Sequence, residues 1–533
     1  MKSIEHNMGL LRRGHIGRRE FLARALACGM ALPAATALLP GAAMADMPKR
    51  GGRVRVALGL GSTTDSLDPA TYNDTYMQVV GFGFRNCLTE VSNEDELIGE
   101  LAESWEASPD ATTWTFELRK GVEFHSGKTL DSADVIASVA HHRAEDSSSP
   151  AKGILASIVD MKADGRNTVV FTLSEGNADF PFLLSDYHIG ICPVVDGALD
   201  WNSGDGTGGY VLKEFDPGVR SFLTRNPNYW KADHAFFDEA EVLSTIDVAA
   251  RMSALTSGAV DVIDRVDLKT AHFLNRNPDV RLEETQGTLH YVYSMMCDRP
   301  PFDNPDVRLA LKYAIDREEL LQKLLNGHGY LGNDHPIGRS NRYYAADLPQ
   351  RPYDPDKAKF HLNKAGLSDL TVPLHVAETA FAGATDGAVL YQQHAAKAGI
   401  TIDVVRSPND GYWSNVWNVQ PWTASYWAGR VTEDWVFSQT YAEGAPWNET
   451  HWANPRFNEL LRLARAELDT ARRREMYYEM QQLCRDDGGV LAPIFSNYVF
   501  AVSEKIAHRR LSAAWDLDGI KCLERWWFGD SAS

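Results

Sequence analysis

Residues 101–135 read LAESWEASPDATTWTFELRKGVEFHSGKTLDSADV, and the first half of this stretch alternates apolar with polar side chains. Trp114, Phe116 and Leu118 fall on one face, and the residues between them fall on the other. A period of two residues is that of a strand with one buried face. The sequence therefore predicts a strand at residues 112–124.

The second half of the stretch predicts a turn followed by a helix. Gly121 and Gly127 bracket a short connection, where glycine is favoured because it tolerates positive φ. Asp131 or Ser132 then provides the side chain that caps a helix ending near His142. A strand, a turn and a helix in such close succession indicate a compact unit that mixes both kinds of element.

Two pairs of helices are predicted further along the chain. In the first pair, Asn304 caps a helix that Pro305 opens. Asp316 caps the next helix, with Glu319 three residues on, and Gly327 ends it. The apolar face of the first helix consists of Val307, Ala310, Leu311, Ala314 and Ile315.

The second pair of helices begins at Pro455 and ends before Gly488. Its second helix starts at Asp469 and contains the run ARRR at residues 471–474. We interpret this run as a solvated helix face, because arginine side chains are mostly exposed. Since strands and helices mix throughout the chain, the predicted fold class is α/β.

The chain has 533 residues, which is enough for two or three domains. Its apolar content of 44% and its charged content of 23% are those of a soluble globular protein. Residues 1–45 carry six basic and two acidic side chains, so the remainder carries 47 basic against 70 acidic side chains, a net charge of −23. Such a charge gives no general attraction to nucleic acid or to an anionic membrane.

The N-terminus has the three-part layout of an export signal. Arg18-Arg19 is followed closely by Phe21, a pattern that resembles a twin-arginine signal. An alanine-rich apolar run follows at residues 25–40, and Ala45 ends a small-x-small cleavage site. We expect cleavage after Ala45 and export to a periplasm.

Two other interpretations of the N-terminus stay open. A transmembrane anchor needs about 20 apolar residues, and Pro33 and Pro40 interrupt this run. A lipid anchor on Cys28 is the other, although the residues before it fit a lipobox poorly. Cleavage after Ala45 leaves five cysteines, whose pairing the spacing does not determine. No Cys/His cluster in the sequence suggests a metal site.

Several segments together are similar to the family 5 extracellular solute-binding proteins, which are the dipeptide-, oligopeptide-, nickel- and glutathione-binding subunits of ABC importers. The strongest likeness is residues 101–135, which follow the family signature almost position for position. Gly209 stands where the family usually has proline. The other matching segments, in chain order, are residues 66–69, 206–210, 225–230, 251–261 and 301–317.

The resemblance implies a two-lobed periplasmic binding protein fold of type II, of the large class with an extra subdomain. The ligand cleft would lie between the lobes and close by hinge motion, with the chain crossing the hinge near residues 287–291 and 493–497. The expected boundaries are residues 1–45 for the signal peptide, 46–86, 198–288 and 495–533 for lobe I, 87–197 for a subdomain inserted in lobe I, and 289–494 for lobe II.

The resemblance also implies a function. The chain is expected to be the periplasmic substrate-binding subunit of an ABC transporter. It would capture a small organic solute, such as a peptide, an opine-like compound or another anionic or zwitterionic metabolite. Its partners would be an inner-membrane permease and its ATPase, with no nucleic acid, and the protein would be a monomer. No cofactor, metal or catalytic residue is implied, so the chain is not expected to be an enzyme.

Two other classes of function stay open. The same fold can serve as a sensory or chaperone-like binding module, since docking to a permease leaves no local motif. A hydrolase is disfavoured because the sequence contains no GxSxG or HExxH motif and no spaced Cys/His arrangement. Turnover of a ligand would separate a hydrolase from a binding protein, which releases its ligand unchanged.

Tryptophan is concentrated in one part of the expected lobe II. Seven of the fourteen tryptophans lie within residues 413–452. Aromatic-lined clefts that enclose a small ligand show such a concentration, but an aromatic core of lobe II would show it as well. Tyr426, Trp427 and Trp447 are the candidates for an aromatic wall of the ligand site.

Residues 425–434 read SYWAGRVTED and resemble the lobe II loop that reads roughly W-x-A-D-Y in peptide-binding relatives. In those relatives the aspartate pairs with the ammonium group of the peptide. Alignment on Trp427 places Arg430 at that position. A guanidinium repels an ammonium there and can hold a carboxylate with two hydrogen bonds. Arg430 is therefore the candidate anchor for an anionic group.

The two acidic residues that follow leave alternatives. Glu433 and Asp434 can take over the ammonium-binding role, or they can form a structural ion pair with Arg430. On lobe I, the loop at residues 65–76 is expected to reach the cleft. Tyr72 and Asn73 are the candidate ligand contacts in that loop.

Overall fold

An eleven-stranded mixed sheet runs through this computed structural model and supports both halves of the chain. The structure describes residues 48–430 and 432–529, without the side chain of Asn275. The predicted signal peptide, with Cys28, therefore lies outside the described residues. Within them, no helix combines the length and the apolar character needed to cross a membrane.

The strands of the described residues group into this large sheet and four small ones. In chain order, the strands are β1 (Arg53–Leu58), β2 (Thr89–Val91), β3 (Leu97–Gly99), β4 (Ala102–Ala107), β5 (Thr113–Leu118), β6 (Ile158–Ala163), β7 (Thr168–Leu173), β8 (Val194–Val195), β9 (Ala198–Leu199), β10 (Tyr210–Asp216), β11 (Arg220–Arg225), β12 (Glu239–Ser244), β13 (Val262–Ile263), β14 (Val280–Met295), β15 (Gly329–Leu331), β16 (Leu370–Val376), β17 (Ile400–Arg406), β18 (Trp422–Trp427), β19 (Val490–Ser503), β20 (Ile506–Ala507) and β21 (Trp527–Phe528).

The helices cover the faces of the sheets. In chain order, they are α1 (Thr75–Phe84), α2 (Ser132–Arg143), α3 (Ala151–Ile154), α4 (Phe180–Leu183), α5 (Val248–Thr256), α6 (Pro305–Tyr313), α7 (Arg317–Leu325), α8 (Pro355–Lys364), α9 (Ala384–Ala396), α10 (Tyr412–Asn415), α11 (Glu433–Thr440), α12 (Pro455–Ala466), α13 (Thr470–Asp486), α14 (Asp516–Gly519) and α15 (Cys522–Arg525). The predicted α/β class is confirmed.

Two long strands join the two halves of the large sheet. The strand order is β10-β11-β12-β1-β13-β19-β14-β18-β16-β17, and β15 pairs with β19 outside this path. Strands β14 and β19 have 16 and 14 residues and run antiparallel to each other at the centre. Each half also contains a parallel pair, β1 with β12 and β16 with β17. The chain therefore passes from one half to the other through β14 and back through β19.

Each half of the sheet has its own apolar core. One core gathers side chains of β1, α1, β10 to β12 and the C-terminal residues around Trp526. The other gathers side chains of β14, α6, α7, α9 and β16 to β18. A further core lies in the second half, where Trp427 packs with residues of α11, α12 and α13.

The stretch that opens the sequence analysis lies in a separate four-stranded sheet of order β4-β5-β7-β6. Trp114, Phe116 and Leu118 on β5 are buried in the core of this sheet, which confirms the first part of the predicted strand. The strand ends at Leu118 and not at residue 124, because the turn at Gly121 interrupts it. Gly121 and Gly127 have φ of +78° and +87°, so the turn uses the conformations that glycine allows.

The predicted caps begin their helices as expected. Asp131 caps α2, and Asn304 caps α6 with Pro305 in the first turn. Asp316 caps α7 by accepting a hydrogen bond from the backbone N–H of Glu319. The chain leaves α7 at Asn326, whose φ of 49° is left-handed, one residue before the predicted end.

The interpretation of residues 471–474 as a solvated face is wrong for one arginine. Arg472 and Arg474 on α13 are exposed, but Arg473 is buried and pairs with Asp179. A helix period does not reveal a partner that lies so far away in sequence. The five cysteines of the described residues all have free thiols.

Candidate functional site

The central strands change register where the two halves of the large sheet meet. The pairing of β14 with β19 shifts between Thr285 and Leu289. Gly287 fits this bulge because a Cβ there would lie 2.5 Å from the carbonyl oxygen of Ser496. The Tyr330 hydroxyl donates to the Gly287 carbonyl at 2.7 Å and fixes the bulge from the other side.

A narrow cavity, with about 20 Å³ of enclosed space, lies beside this bulge. Residues from both halves of the chain form its wall, which places it between them. The lining residues are Val91, Asp95, Phe182, Thr288, Ser340, Asn341, Arg430, Ala513 and Ala514. A space of about 20 Å³ holds a water molecule but no solute, so a solute could enter here only if the two halves moved apart.

The loop after β18 carries Arg430 to the cavity. Gly429 must be glycine, since a Cβ there would lie 1.5 Å from the Thr288 hydroxyl oxygen. The Asn341 side chain donates to the Arg430 carbonyl at 3.1 Å and ties the loop to a second cavity residue. The backbone that presents Arg430 is therefore held directly against the bulge in β14.

The Arg430 guanidinium has neutral partners only, as far as the described residues show. Its Nε donates to Gln439 Oε1 at 3.2 Å, and one terminal nitrogen donates to the carbonyls of Ala428 and Gly429 at 3.1 and 3.2 Å. The guanidinium also lies over the Trp435 ring at 5.2 Å. Burial lowers the pKa of Arg430, and the facing Tyr187 and Asp186 oppose this effect.

The structure separates Arg430 from the two acidic residues that follow it in sequence. The Glu433 carboxylate is buried and accepts the Tyr343 N–H at 2.6 Å, and burial raises its pKa to about 7. Asp434 is also buried and pairs with Arg465 at 3.1 Å. Neither carboxylate pairs with Arg430, because Glu433 contacts the Tyr343 backbone and Asp434 contacts Arg465.

Three predicted aromatic wall residues lie in one ladder of rings with Trp413 and Trp417. Trp427 is 7% exposed, whereas Tyr426 and Trp447 are 41% and 42% exposed. Trp427 packs against Trp417 and Trp447 at 6.4 and 5.9 Å, and Tyr426 meets Trp413 at 5.9 Å. The two exposed rings are thus available to solvent, and Trp427 is mainly a support.

A buried carboxylate fixes this ladder. Glu449 accepts the Trp427 indole N–H at 2.8 Å and also the indole N–H of Trp417. Trp422 and Trp452 of the same sequence window are buried in the cores of this half. Some tryptophans of this window therefore belong to the apolar core, and others lie on the accessible surface.

The two candidate ligand contacts in the first half, Tyr72 and Asn73, differ in their exposure to solvent. Tyr72 is 1% exposed, its hydroxyl donates to the Leu67 carbonyl at 3.2 Å, and it accepts from Arg85 at 2.8 Å. Its ring belongs to the core and presents no surface to a ligand in this structure. Asn73 next to it is exposed.

Sequence reasoning did not identify most of the cavity wall. Ser340 and Asn341 come from a loop without a periodic signal, Thr288 lies at the bulge of β14, and Asp186 and Tyr187 face Arg430 from the other half. Only Thr288 carried a hint, because it lies in the segment expected to form the hinge.

Two groups of ionisable side chains in the described residues have ligand atoms close enough for a metal. In the first, Lys231 Nζ lies 3.0, 2.9 and 2.8 Å from carboxylates of Glu90, Glu100 and Glu524, so an ammonium already holds them.

In the second group, the lone pair of His394 Nδ1 accepts the Asp316 N–H at 3.2 Å. The proton is therefore on Nε2, which donates to Glu319 at 2.9 Å. Neither group presents a free set of donor atoms.

Comparison with known proteins shows the family of the chain. A family model described as bacterial extracellular solute-binding proteins, family 5 Middle, matches residues 96–449. The glutathione-binding protein GsiB of Pectobacterium atrosepticum is 26% identical over 475 residues, which are 84% of this chain and 90% of the relative. GsiB of Escherichia coli K12 is 25% identical over 496 residues, 90% of this chain and 94% of the relative.

Solved structures have the same two-lobed fold. The PBP AgaA from A. tumefacien R10, in complex with agropinic acid, has a TM-score of 0.71 at 24% identity and covers 90% of this chain and 99% of its own. The periplasmic murein tripeptide binding protein MppA, in an unliganded open form, has a TM-score of 0.79 at 17% identity and covers 91% and 98%. The chain belongs to the bacterial extracellular solute-binding proteins of family 5, which capture solutes for ABC transporters.

Proposed function

We propose that this protein is the periplasmic binding subunit of an importer for a small anionic or zwitterionic solute, and that Arg430 binds the solute's carboxylate. It delivers the solute to an inner-membrane permease and its ATPase without changing it. The observation that carries the proposal is the Arg430 guanidinium, which lines the cavity between the two halves and, among the described residues, donates hydrogen bonds to neutral groups only, with the Asp186 carboxylate facing it but not paired with it.

The chemistry of the site favours an anion at this position. Burial of a cation without a counter-ion costs free energy, and a ligand carboxylate recovers that cost. The planar guanidinium matches a carboxylate with two parallel hydrogen bonds. A ligand ammonium placed beside Arg430 would be repelled.

The ligands named for two relatives are consistent with this choice. Glutathione is named for GsiB and agropinic acid for AgaA, and both compounds carry carboxylates. The exposed rings of Tyr426 and Trp447 lie on the same half as Arg430 and would contact the apolar part of such a solute. The ammonium group of a simple dipeptide would meet Arg430 at the position where the resemblance to peptide-binding relatives places an aspartate.

The lobe boundaries belong to the same proposal. Lobe I comprises residues 46–86, 198–288 and 495–533, with the subdomain 87–197 inserted, and lobe II comprises residues 289–494. The register shift between β14 and β19 supports a hinge at residues 287–291 and 493–497, because fewer ladder hydrogen bonds resist bending there.

Export is the remaining part of the proposal. The twin-arginine-like segment directs the folded chain to the periplasm, and cleavage after Ala45 releases a monomer. The periplasmic relatives support this location. A binding protein of this kind needs no catalytic residue, so the ligand is expected to be recovered intact.

Arg430 is tested by a thermal-shift panel on residues 46–533, unfolded and refolded to remove carried-over ligand. The panel holds reduced glutathione, di- and tripeptides, opine-like amino and sugar acids, and nickel–histidine complexes. A ligand at 100 times its Kd adds about 2.7 kcal/mol to the free energy of unfolding, which is a shift of about 2–4 °C in Tm.

We expect an anionic compound to shift the wild type and not Arg430→Gln. Arg342→Gln is the matched control, since Arg342 is an exposed arginine of the same lobe outside the cavity wall. Equal shifts in wild type and Arg430→Gln would overturn the assignment of the anchor, and a shift by plain dipeptides alone would overturn the ligand class.

A further inference from the structure

A second contact between the two parts of the chain lies outside the cavity wall. Residues 175–179, which precede α4 beside the four-stranded sheet, meet the helices α12 and α13. The Ala178 N–H donates to the Arg465 carbonyl at 2.7 Å. A Cβ on Gly176 would lie 2.9 Å from the Ala466 Cβ, so the two backbones pack closely.

A buried ion pair is the centre of this contact. Arg473 on α13 donates to both carboxylate oxygens of Asp179 at 2.8 and 2.7 Å. The two residues are 2% and 3% exposed. Removing one partner of a buried pair leaves an uncompensated charge, which is strongly unfavourable. The pair therefore resists separation of the two surfaces.

Arg473 is held on its own helix pair independently of Asp179. Its Nε donates to the Ala464 carbonyl at 3.0 Å. Its guanidinium lies over the rings of Tyr343 and Tyr477 at 5.3 and 5.4 Å. Because these contacts fix the arginine, it cannot follow Asp179 when the surfaces move apart.

A second arginine and one tryptophan extend the contact. Arg465 pairs with Glu175 at 2.6 Å across the contact and with Asp434 at 3.1 Å on its own side. The Trp435 ring, from α11, packs against the apolar core of the four-stranded sheet. The contact thus combines two cross-lobe ion pairs with buried apolar surface.

No strand pairing joins these surfaces in the described part of the chain. The four-stranded sheet is separate from the large sheet that contains β14 and β19. Bending at the two long strands would therefore separate residues 175–179 from α12 and α13 unless these side chains hold them together.

We propose that Asp179 with Arg473, and Glu175 with Arg465, form a latch that holds lobe II against the inserted subdomain in the arrangement described here. The latch adds to the free energy needed to open the cleft, whether or not a solute is bound. The proposal rests on the lobe boundaries given above, which make this contact interlobe, but not on the choice of ligand.

The latch is tested by double electron–electron resonance on the ligand-free mature chain. Spin labels are placed at Val159→Cys in the subdomain and Phe360→Cys in lobe II, which are 60% and 61% exposed. Cys297 is replaced by serine, and the other four cysteines of the described residues are buried. The measured quantity is the distribution of distances between the two labels.

Asp179→Asn is expected to raise the ratio of open to latched molecules by about tenfold or more. The double variant Asp179→Asn/Arg473→Gln removes both charges, so it is expected to regain stability but remain open. Asp334→Asn is the matched control, because it breaks a buried pair with Arg317 at 2.8 Å inside lobe II. It is expected to lower Tm without changing the distances.

Identical distance distributions in wild type and both latch variants, with folded circular dichroism spectra, would overturn the latch. The ligand panel can fail while the distances still change, so the two proposals fail separately. Equal widening in Asp334→Asn and Asp179→Asn would also overturn it, since general destabilisation would then explain the opening.

Discussion

Glu433 lies three residues after Arg430 in sequence, yet it faces the latch side of lobe II. Around its carboxylate are Asp179, Arg473 and the Tyr343 N–H. Burial raises the pKa of Glu433 from 4.5 to about 7. A raised carboxyl pKa stabilises the fold fully below 4.5, and this stabilisation is lost as the pH rises through 7.

The variant Glu433→Gln is therefore expected to be more stable than the wild type at pH 8. The glutamine oxygen can still accept the Tyr343 N–H, and it removes the cost of ionising a buried group. The expected gain is up to about 3 kcal/mol at pH 8 and close to zero at pH 4.5. Urea unfolding at both pH values measures it.

Glu459→Gln is the control for this prediction, because Glu459 is an exposed carboxylate on α12. It should change the unfolding free energy little at either pH. If Glu433→Gln shows the same difference from wild type at pH 4.5 and pH 8, the buried carboxyl does not titrate in the expected window.

At the residue scale, the sequence predicted the chemical role of a side chain more accurately than whether that side chain is buried. Arg430 was identified as a cation at the cleft from its place in a motif, and the structure places it in the cavity wall. Tyr72 was misjudged because its burial depends on Arg85, a contact that no local pattern reveals. Arg473 was misjudged for the same reason, since Asp179 lies 294 residues away.

At the scale of the element, local signals were sufficient for most strands and helices. The alternation in β5 and the caps of α2, α6 and α7 each follow from neighbouring side chains. The bulge in β14 has no such signal, because it is determined by β19 and β15, which pair from distant parts of the chain. Gly287 is the one residue of the bulge whose type gives a local signal.

The loop that presents Arg430 depends on its contact with that bulge. Gly429→Ala would place a Cβ 1.5 Å from the Thr288 oxygen, so either the loop or the bulge must move. We expect the variant to fold but to lose the thermal shift given by the ligand that the panel identifies, since about 1 Å of displacement misaligns a two-hydrogen-bond anchor.

Gly153→Ala is the control for this substitution, because a Cβ there would meet no atom within 4 Å. It should keep the full ligand shift. An unchanged ligand shift in Gly429→Ala would show that the loop adapts without moving Arg430, and the link between anchor and hinge strand would be wrong.

At the scale of the whole molecule, two sets of contacts have opposite effects on the opening of the cleft. The paired strands β14 and β19 connect the lobes through a bulge that bends easily, and the latch adds a second connection through side chains. A binding protein needs both arrangements of its lobes to be accessible, so the free energies of the two must differ by only a few kcal/mol. Buried titratable groups also make the free energy of unfolding sensitive to pH.

Two histidines, His290 on β14 and the neighbouring His335, are buried in their neutral forms. Burial lowers the pKa of His290 from 6.5 to about 4 and that of His335 from 6.5 to about 3. The unfolded chain binds protons at these groups below pH 6.5, and the folded chain does not. Stability is therefore lost progressively as the pH falls from 6.5 through these lowered values. Glu433 and Asp516, with pKa values raised to about 7, act in the opposite direction in part of this range.

Comparison of His335→Gln with the wild type isolates one of these contributions. Glutamine does not titrate, so the variant is expected to lose about 2 kcal/mol less than the wild type between pH 6.5 and pH 4.5. Urea unfolding at the two pH values gives the difference, and changes common to both proteins cancel. If the two proteins lose the same free energy over this range, His335 takes up its proton in the folded state, and its surroundings are open to water.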